Sequence, residues 1–187
     1  DGDLPGKSGT GSSSSFTVGL LNALYAYKGV NPNPRQLAEE AINIEQNLIG
    51  ETVGSQDQIA AAFGGFNHIR FEGNSFEVNP IIIEEEKRQI LDSNTLLFFT
   101  GISRFAEQIA KTYVEDIKSR EKQLNLMSKM VDKGKDIISN GNLDDFGYLL
   151  DEAWERKKEL SNQVSSEVIN DIYSKAINAG ALGGKIS

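Results

Sequence analysis

The stretch Pro5-Gly6-Lys7-Ser8-Gly9-Thr10-Gly11-Ser12-Ser13-Ser14-Ser15 carries the residue types that could hold a phosphate. Gly9 and Gly11 let the backbone turn tightly and come close to a ligand. The serines after them start helices well, and an apolar run follows at Phe16, Val18, Leu20, Leu21, Leu24 and Tyr25. A glycine-rich loop feeding a helix presents unsatisfied N–H groups and the positive end of the helix dipole, which suits a phosphate. A flexible Gly/Ser linker is the plainer alternative. Three commoner patterns each fail on one residue. A P-loop ending at Gly6-Lys7-Ser8 would need glycine at Asp1, and a dinucleotide fingerprint from Gly9 would need it at Ser14. A hydrolase elbow around Ser8 would need it at Thr10.

Carboxylates are the next groups that could do chemistry. Asp57 precedes the short apolar run Ile59-Ala60-Ala61-Ala62-Phe63, where a capping or first-turn acid is the plain reading. Glu39, Glu40 and Glu45 lie along a helix, and a solvated face accounts for Glu39 and Glu40. The single histidine, His68, sits among apolar neighbours with no second soft ligand and reads as structural.

The elements that must position these groups follow from periodicity and punctuation. A helix over about Ser12–Tyr27 ends at Gly29, and Asn33-Pro34 opens a second that runs to about Leu48 with Leu37, Ala38, Ala41, Ile42 and Ile44 on its apolar face. The Ile59–Phe63 helix stops at Gly64-Gly65, and strands over 66–71 and 76–83 flank a Gly73-Asn74 turn. The charged stretch Glu84–Arg88 reads as a break between domains, placing residues 1–86 in one and 87–187 in the other. Thr95–Thr100 is apolar and of strand length, hence a buried strand. Helices then follow over about 103–112, from Leu124 to Asn140 (Leu124, Met127, Val131 and Ile138 on one face), from Asn142 through Trp154, and from Val164 to Ala176.

At 187 residues, 39% of them hydrophobic, the chain can bury a real core in one sizeable domain or parts of two. A formal charge of −8 argues against nucleic acid or a basic membrane surface as partner. No apolar run is long enough to span a membrane. The absence of cysteine excludes disulfides and thiolate metal sites and fits a cytoplasmic location. Asp1 runs into the loop with no preceding strand, and Gly183-Gly184-Lys185-Ile186-Ser187 stops as a glycine-rich turn begins, so both ends read as cut from a longer protein.

Taken together, the motifs resemble a family. Pro5-x-x-x-Gly9-Thr10-Gly11-Ser12-Ser13-Ser14 is similar to the phosphate loop of the GHMP small-molecule kinases. The likeness continues through Glu45, Gly54-Ser55-Gln56-Asp57-Gln58 and Ala62-Phe63-Gly64-Gly65-Phe66. The Gln-Asp-Gln form, Phe98–Ala106, Trp154-x-x-Lys157-Lys158 and Gly184–Ser187 look most like the branch that phosphorylates D-glycero-D-manno-heptose 7-phosphate. Thr10 stands where leucine is usual, and a Thr-Asp turn near the family's N-terminus and its C-terminal glycine-rich segment have no counterpart here.

The resemblance implies an α+β, two-domain GHMP kinase fold: part of the ribosomal-S5-like N-terminal domain, then part of a ferredoxin-like, helix-rich C-terminal one. It implies ATP and Mg²⁺. Gly9, Thr10, Gly11, Ser12, Ser13 and Ser14 would cradle the ATP phosphates, Ser13 and Glu45 would hold the metal, and Asp57 would orient or deprotonate the attacking hydroxyl. Transfer would be direct and in line, giving a heptose 1,7-bisphosphate. A phosphorylated acceptor needs further cations, for which Arg104, Lys157 and Lys158 are the candidates, while Trp154 reads as core before sugar platform. The partners implied are a sugar phosphate and ATP, with a homodimer as the assembly allowed. Competing readings are a galactose, fucose or mevalonate kinase of the same fold, a non-catalytic nucleotide-binding relative, and a helical interaction module over residues 103–178.

Overall fold

The computed structural model describes residues 10–73, 75–100, 117–160 and 164–186. These residues fall into two compact units, 10–80 and 81–100 with 117–186. The fold is helix-rich with a small antiparallel sheet, an α+β arrangement.

In the first unit α1 spans Ser12–Tyr27 and α2 spans Pro34–Asn43; a π-helical turn, Ile44–Leu48, continues α2 without a break. Helix α3 is Gln56–Phe63, and strands β1 (Asn67–Glu72) and β2 (Ser75–Pro80) form the hairpin. The expected punctuation holds. Asn33 accepts a hydrogen bond from the Gln36 N–H at 2.9 Å and Pro34 takes the first turn of α2. Gly29 after α1, and Gly64 and Gly65 after α3, have positive φ. The hairpin pairs Phe71 with Phe76, Ile69 with Val78 and His68 with Asn79. Strand β2 ends at Pro80, short of the expected Ile83, because proline brings no N–H to the ladder.

Helix α2 is the centre of this unit. One face puts Leu37 and Ala41 against Val18 and Leu21 of α1, and the other puts Ala38 against Ile59 and Phe76. Ala38 and Ala41 are wholly buried, so α1 and α3 approach α2 with only a methyl group between them. Arg35 fastens β2 to α2, its guanidinium donating to the Phe76 carbonyl at 2.9 Å and lying 4.4 Å from the centre of the Phe76 ring.

The apolar stripe expected on α1 divides. Val18 is buried with Ser14, while Phe16, Leu20 and Leu24 face outward. Their spacing of four defines a second face of the helix, and α2 and α3 cover only the first.

In the second unit α4 spans Glu85–Ser93, α5 Glu121–Asn140, α6 Leu143–Leu160 and α7 Glu167–Asn178; a 3₁₀ turn at Ile117–Arg120 leads into α5. The charged stretch expected to be a break is therefore the first turn of α4. Arg88 pairs with Glu85 and Asp92 at helical spacing, which supports a helix with no buried side chain and hence no apolar stripe to announce it. Residues 95–100 form no strand, and Leu96, Leu97, Phe98 and Phe99 are exposed, which corrects the expected buried strand. An apolar run becomes a strand only where a neighbour takes its backbone hydrogen bonds, and the described sheet has two strands only, β1 and β2.

Trp154 is core, as expected, with none of its surface exposed and its ring 6.2 Å from that of Tyr173. The Tyr173 hydroxyl donates to Asp151 at 2.5 Å, joining α7 to α6; burial and then the Asp151 carboxylate push this phenol above its ordinary pKa. On α5 the buried residues are Gly134, Ile137 and Ile138, and Val131 lies outside that face. On α7 Ile169 is buried in place of Val168. The helix expected over about 103–112 lies outside the described residues.

Because the Asn33 side chain satisfies one of the otherwise orphaned N–H groups of α2, Asn33→Ala is expected to lower stability by about 1 kcal/mol. Urea unfolding followed by circular dichroism measures it.

Candidate phosphate and metal site

Three chain segments meet around one carboxylate. Glu45, in the π-helical turn, is 2% exposed. From α1, Ser14 Oγ donates to its Oε2 at 3.0 Å and Thr17 Oγ1 donates to its Oε1 at 3.0 Å. From α3, Gln58 Nε2 donates to Oε2 at 2.5 Å. All three donors are neutral, and among the described residues no lysine or arginine pairs with this acid. Hydrogen bonds to a charged group stabilise by roughly 1.5–3 kcal/mol each, which is how an acid comes to be buried here without a salt bridge.

The local sequence explains each placement. Thr17 and Val18 lie three and four residues after Ser14, and Leu21 four and three after them, so the two hydroxyls share the packed face of α1 with its apolar residues. Glu45 is four residues beyond Ala41 and seven beyond Ala38, in register with the buried face of α2; Glu39, which is exposed, is not. Glu40 is half-buried and accepts the Tyr25 hydroxyl at 2.5 Å, so it is a structural acceptor and not simply a solvated residue. Gln46 Nε2 donates to the Val53 carbonyl and to Ser55 Oγ, holding the loop that delivers α3. π-helical turns inside α-helices are frequent at functional sites.

Gly11 stands at the start of α1 with φ +68°, and its carbonyl accepts the Ser15 N–H at 2.9 Å. A Cβ at this position would lie 3.4 Å from both Cγ and Oδ2 of Asp57. Asp57, in the first turn of α3, is thus both the expected first-turn acid and a carboxylate laid against the N-terminus of another helix. The opening turn of α1 therefore has Asp57 on one side and Glu45 behind it.

The remaining expected residues fall as follows. Thr10, Gly11, Ser12, Ser13 and Ser14 all stand at the start of α1, and Gly9 lies outside the described residues. Ser13, expected beside Glu45, is exposed, and its carbonyl accepts the Thr17 hydroxyl at 3.1 Å; the hydroxyls on Glu45 are those of Ser14 and Thr17. Thr17 and Gln58 were not singled out for the site, although helical spacing from Ser14 was a signal for the first and adjacency to Asp57 for the second. Lys157 and Lys158 end α6 in the second unit. Lys157 donates to the Ile186 carbonyl at 3.3 Å, and Lys158 pairs with Glu155 at 2.7 Å. Arg104 lies outside the described residues.

These groups fit a hard divalent cation. The donors are all oxygen, and Mg²⁺ is usually bound by one or two carboxylates plus substrate phosphates. Among the described residues no three acidic or histidine side chains converge into a cage, so any cation here would take most of its coordination from elsewhere. Gln58 is 1% exposed and its Oε1 has no hydrogen-bond partner. A buried orphan of this kind costs roughly 1–3 kcal/mol, the sort of expense met at binding sites.

Gly11→Ala forces an L-residue into the left-handed region, at a cost of about 1–2 kcal/mol. It also sets a methyl in van der Waals contact with Asp57. The expected outcome is a lower melting temperature together with weaker binding of a non-hydrolysable ATP analogue. Gly29→Ala carries the backbone cost alone, having open space around it. Calorimetry on both variants separates the two effects.

Residues 1–65 match the family profile described as GHMP kinases N terminal domain. The chain is 34% identical over 189 residues to the D-glycero-alpha-D-manno-heptose 7-phosphate kinase of Campylobacter jejuni, covering 99% of this chain and 56% of that protein. It is 26% identical to the galactokinase of Pyrococcus furiosus, covering 59% of it. A crystal structure of a D-glycero-D-manno-heptose 1-phosphate kinase from Bacteroides thetaiotaomicron superimposes with a TM-score of 0.76 at 28% identity, over 99% of this chain and 52% of that one. The chain thus spans little more than half the length of these relatives. No helix among the described residues is long and apolar enough to cross a membrane. From the loop motif, the fold and these matches together, residues 1–65 are similar to the N-terminal domain of the GHMP kinases, and the likeness to kinases of that kind continues along the chain.

Proposed function

We propose that the protein transfers the γ-phosphoryl group of ATP to a hydroxyl of a heptose phosphate. The observation that carries this reading is the convergence of Asp57 and Glu45 on the first turn of α1, behind a glycine in the left-handed conformation. A module that only binds nucleotide has no need of the second carboxylate.

In this reading the N–H groups of α1's first turn, with Gly9–Ser14, hold the ATP phosphates, and the helix dipole favours the charge that develops on them. Glu45 and the exposed Ser13 hydroxyl would hold Mg²⁺, which when bound neutralises the phosphate oxygens. Ser14, Thr17 and Gln58 keep the Glu45 carboxylate oriented. Asp57 accepts a hydrogen bond from the sugar hydroxyl and takes its proton as the new P–O bond forms and the bond to ADP breaks, with no phospho-enzyme. Arg104, Lys157 and Lys158 are proposed to meet the phosphate already on the sugar, arginine by bidentate hydrogen bonds. The names of the relatives differ on that phosphate, one reading 7-phosphate and the other 1-phosphate.

The test is ATP consumption against heptose 7-phosphate, heptose 1-phosphate, mannose 6-phosphate, galactose, fucose and mevalonate. Turnover is expected with a heptose phosphate, and Asp57→Asn should lower kcat by about 10²–10⁴-fold while ATP binding persists. Turnover only with an unphosphorylated acceptor would remove the second phosphate pocket. ATP binding without turnover on any acceptor would overturn the assignment as a kinase of this panel.

A further inference from the structure

The hydrogen bonds on Glu45 are unevenly shared between its two oxygens. An ionised carboxylate offers about four lone-pair sites, two on each oxygen. Oε2 accepts from both Ser14 and Gln58, which fills it. Oε1 accepts from Thr17 alone, and that hydroxyl's single proton is shared with the Ser13 carbonyl. One acceptor position is left, and it is on Oε1.

Gln58 decides this asymmetry. Its amide is placed with nitrogen toward Glu45, since the reverse would set its Oε1 against a carboxylate oxygen. That orientation leaves Gln58 Oε1 buried and without a partner. An aliphatic side chain of similar length would fill the same space with no orphaned atom. The position therefore keeps an amide at a cost, and what the amide supplies is the second donor on Oε2.

We infer that Gln58 is a specificity-determining residue that restricts Glu45 to one-oxygen coordination through Oε1, and so favours Mg²⁺ over Ca²⁺. Mg²⁺ demands compact octahedral geometry, whereas Ca²⁺ is larger and readily takes a carboxylate by both oxygens. Filling Oε2 removes the two-oxygen mode. This rests on the reading of Glu45 as a metal ligand, and the experiment separates the two.

Mn²⁺ binding to the protein with a non-hydrolysable ATP analogue is followed by electron paramagnetic resonance, and the ion is then displaced with Mg²⁺ or Ca²⁺. In Gln58→Met the Mg²⁺-over-Ca²⁺ preference is expected to fall by about tenfold, the scale on which partners of metal ligands act. Ser14→Ala opens the same oxygen from a different helix and should shift the preference the same way, which keeps the test open if Gln58→Met does not fold. Thr17→Val relieves Oε1 only and should leave the preference unchanged. An unchanged preference in Gln58→Met and Ser14→Ala overturns the inference. Full Mn²⁺ binding by Glu45→Gln overturns the metal reading itself, and the inference with it.

Discussion

A carboxylate can be buried only if donors reach it, and Glu45 takes its donors from two helices other than its own. That requirement fixes how α1 and α3 approach the end of α2. The approach is close enough because Ala38 and Ala41 line the faces between them. Larger side chains there would hold Ser14 and Gln58 away from the acid. The packing of the first unit and the electrostatics of the site are thus one constraint. The start of α1 and Asp57 come together because the helices must meet at Glu45.

Much of this was legible in the residues. Gly29, Asn33-Pro34, Gly64-Gly65 and the hairpin turn mark element boundaries by local stereochemistry, which tertiary structure seldom overrides. The phosphate-loop reading rested on backbone freedom at Gly9 and Gly11, and Gly11 has a positive φ in the structure. Glu45 could have been picked out by register alone, since it falls on the apolar face of α2 where a glutamate has no ordinary place. Gln58 and Thr17 were harder to see. Their roles exist only in three dimensions, as donors to an acid 13 and 28 residues away in sequence.

What could not be read has physical causes too. Apolar residues at helical spacing show that a face exists, not whether anything covers it, and so the run on α1 does not separate the buried Val18 from the exposed Phe16, Leu20 and Leu24. The same limit applies to Leu96–Phe99, whose composition suits a strand while its pairing depends on a neighbour. Helix α4 is the opposite case: its support is charge spacing at Arg88, which a search for apolar periodicity passes over. The π-helical turn at Ile44–Leu48 needs one hydrogen bond displaced by a residue, and no side-chain pattern records that.

The central claim is that the first turn of α1 and the Glu45 carboxylate together bind a metal–nucleotide complex. A crystal structure of the protein with Mg²⁺ and a non-hydrolysable ATP analogue tests it most directly. The account predicts the terminal phosphates at the N–H groups following Gly11, a metal ion on Glu45, and Asp57 facing the γ-phosphate. A nucleotide bound away from α1, or bound there with the metal away from Glu45, would contradict it.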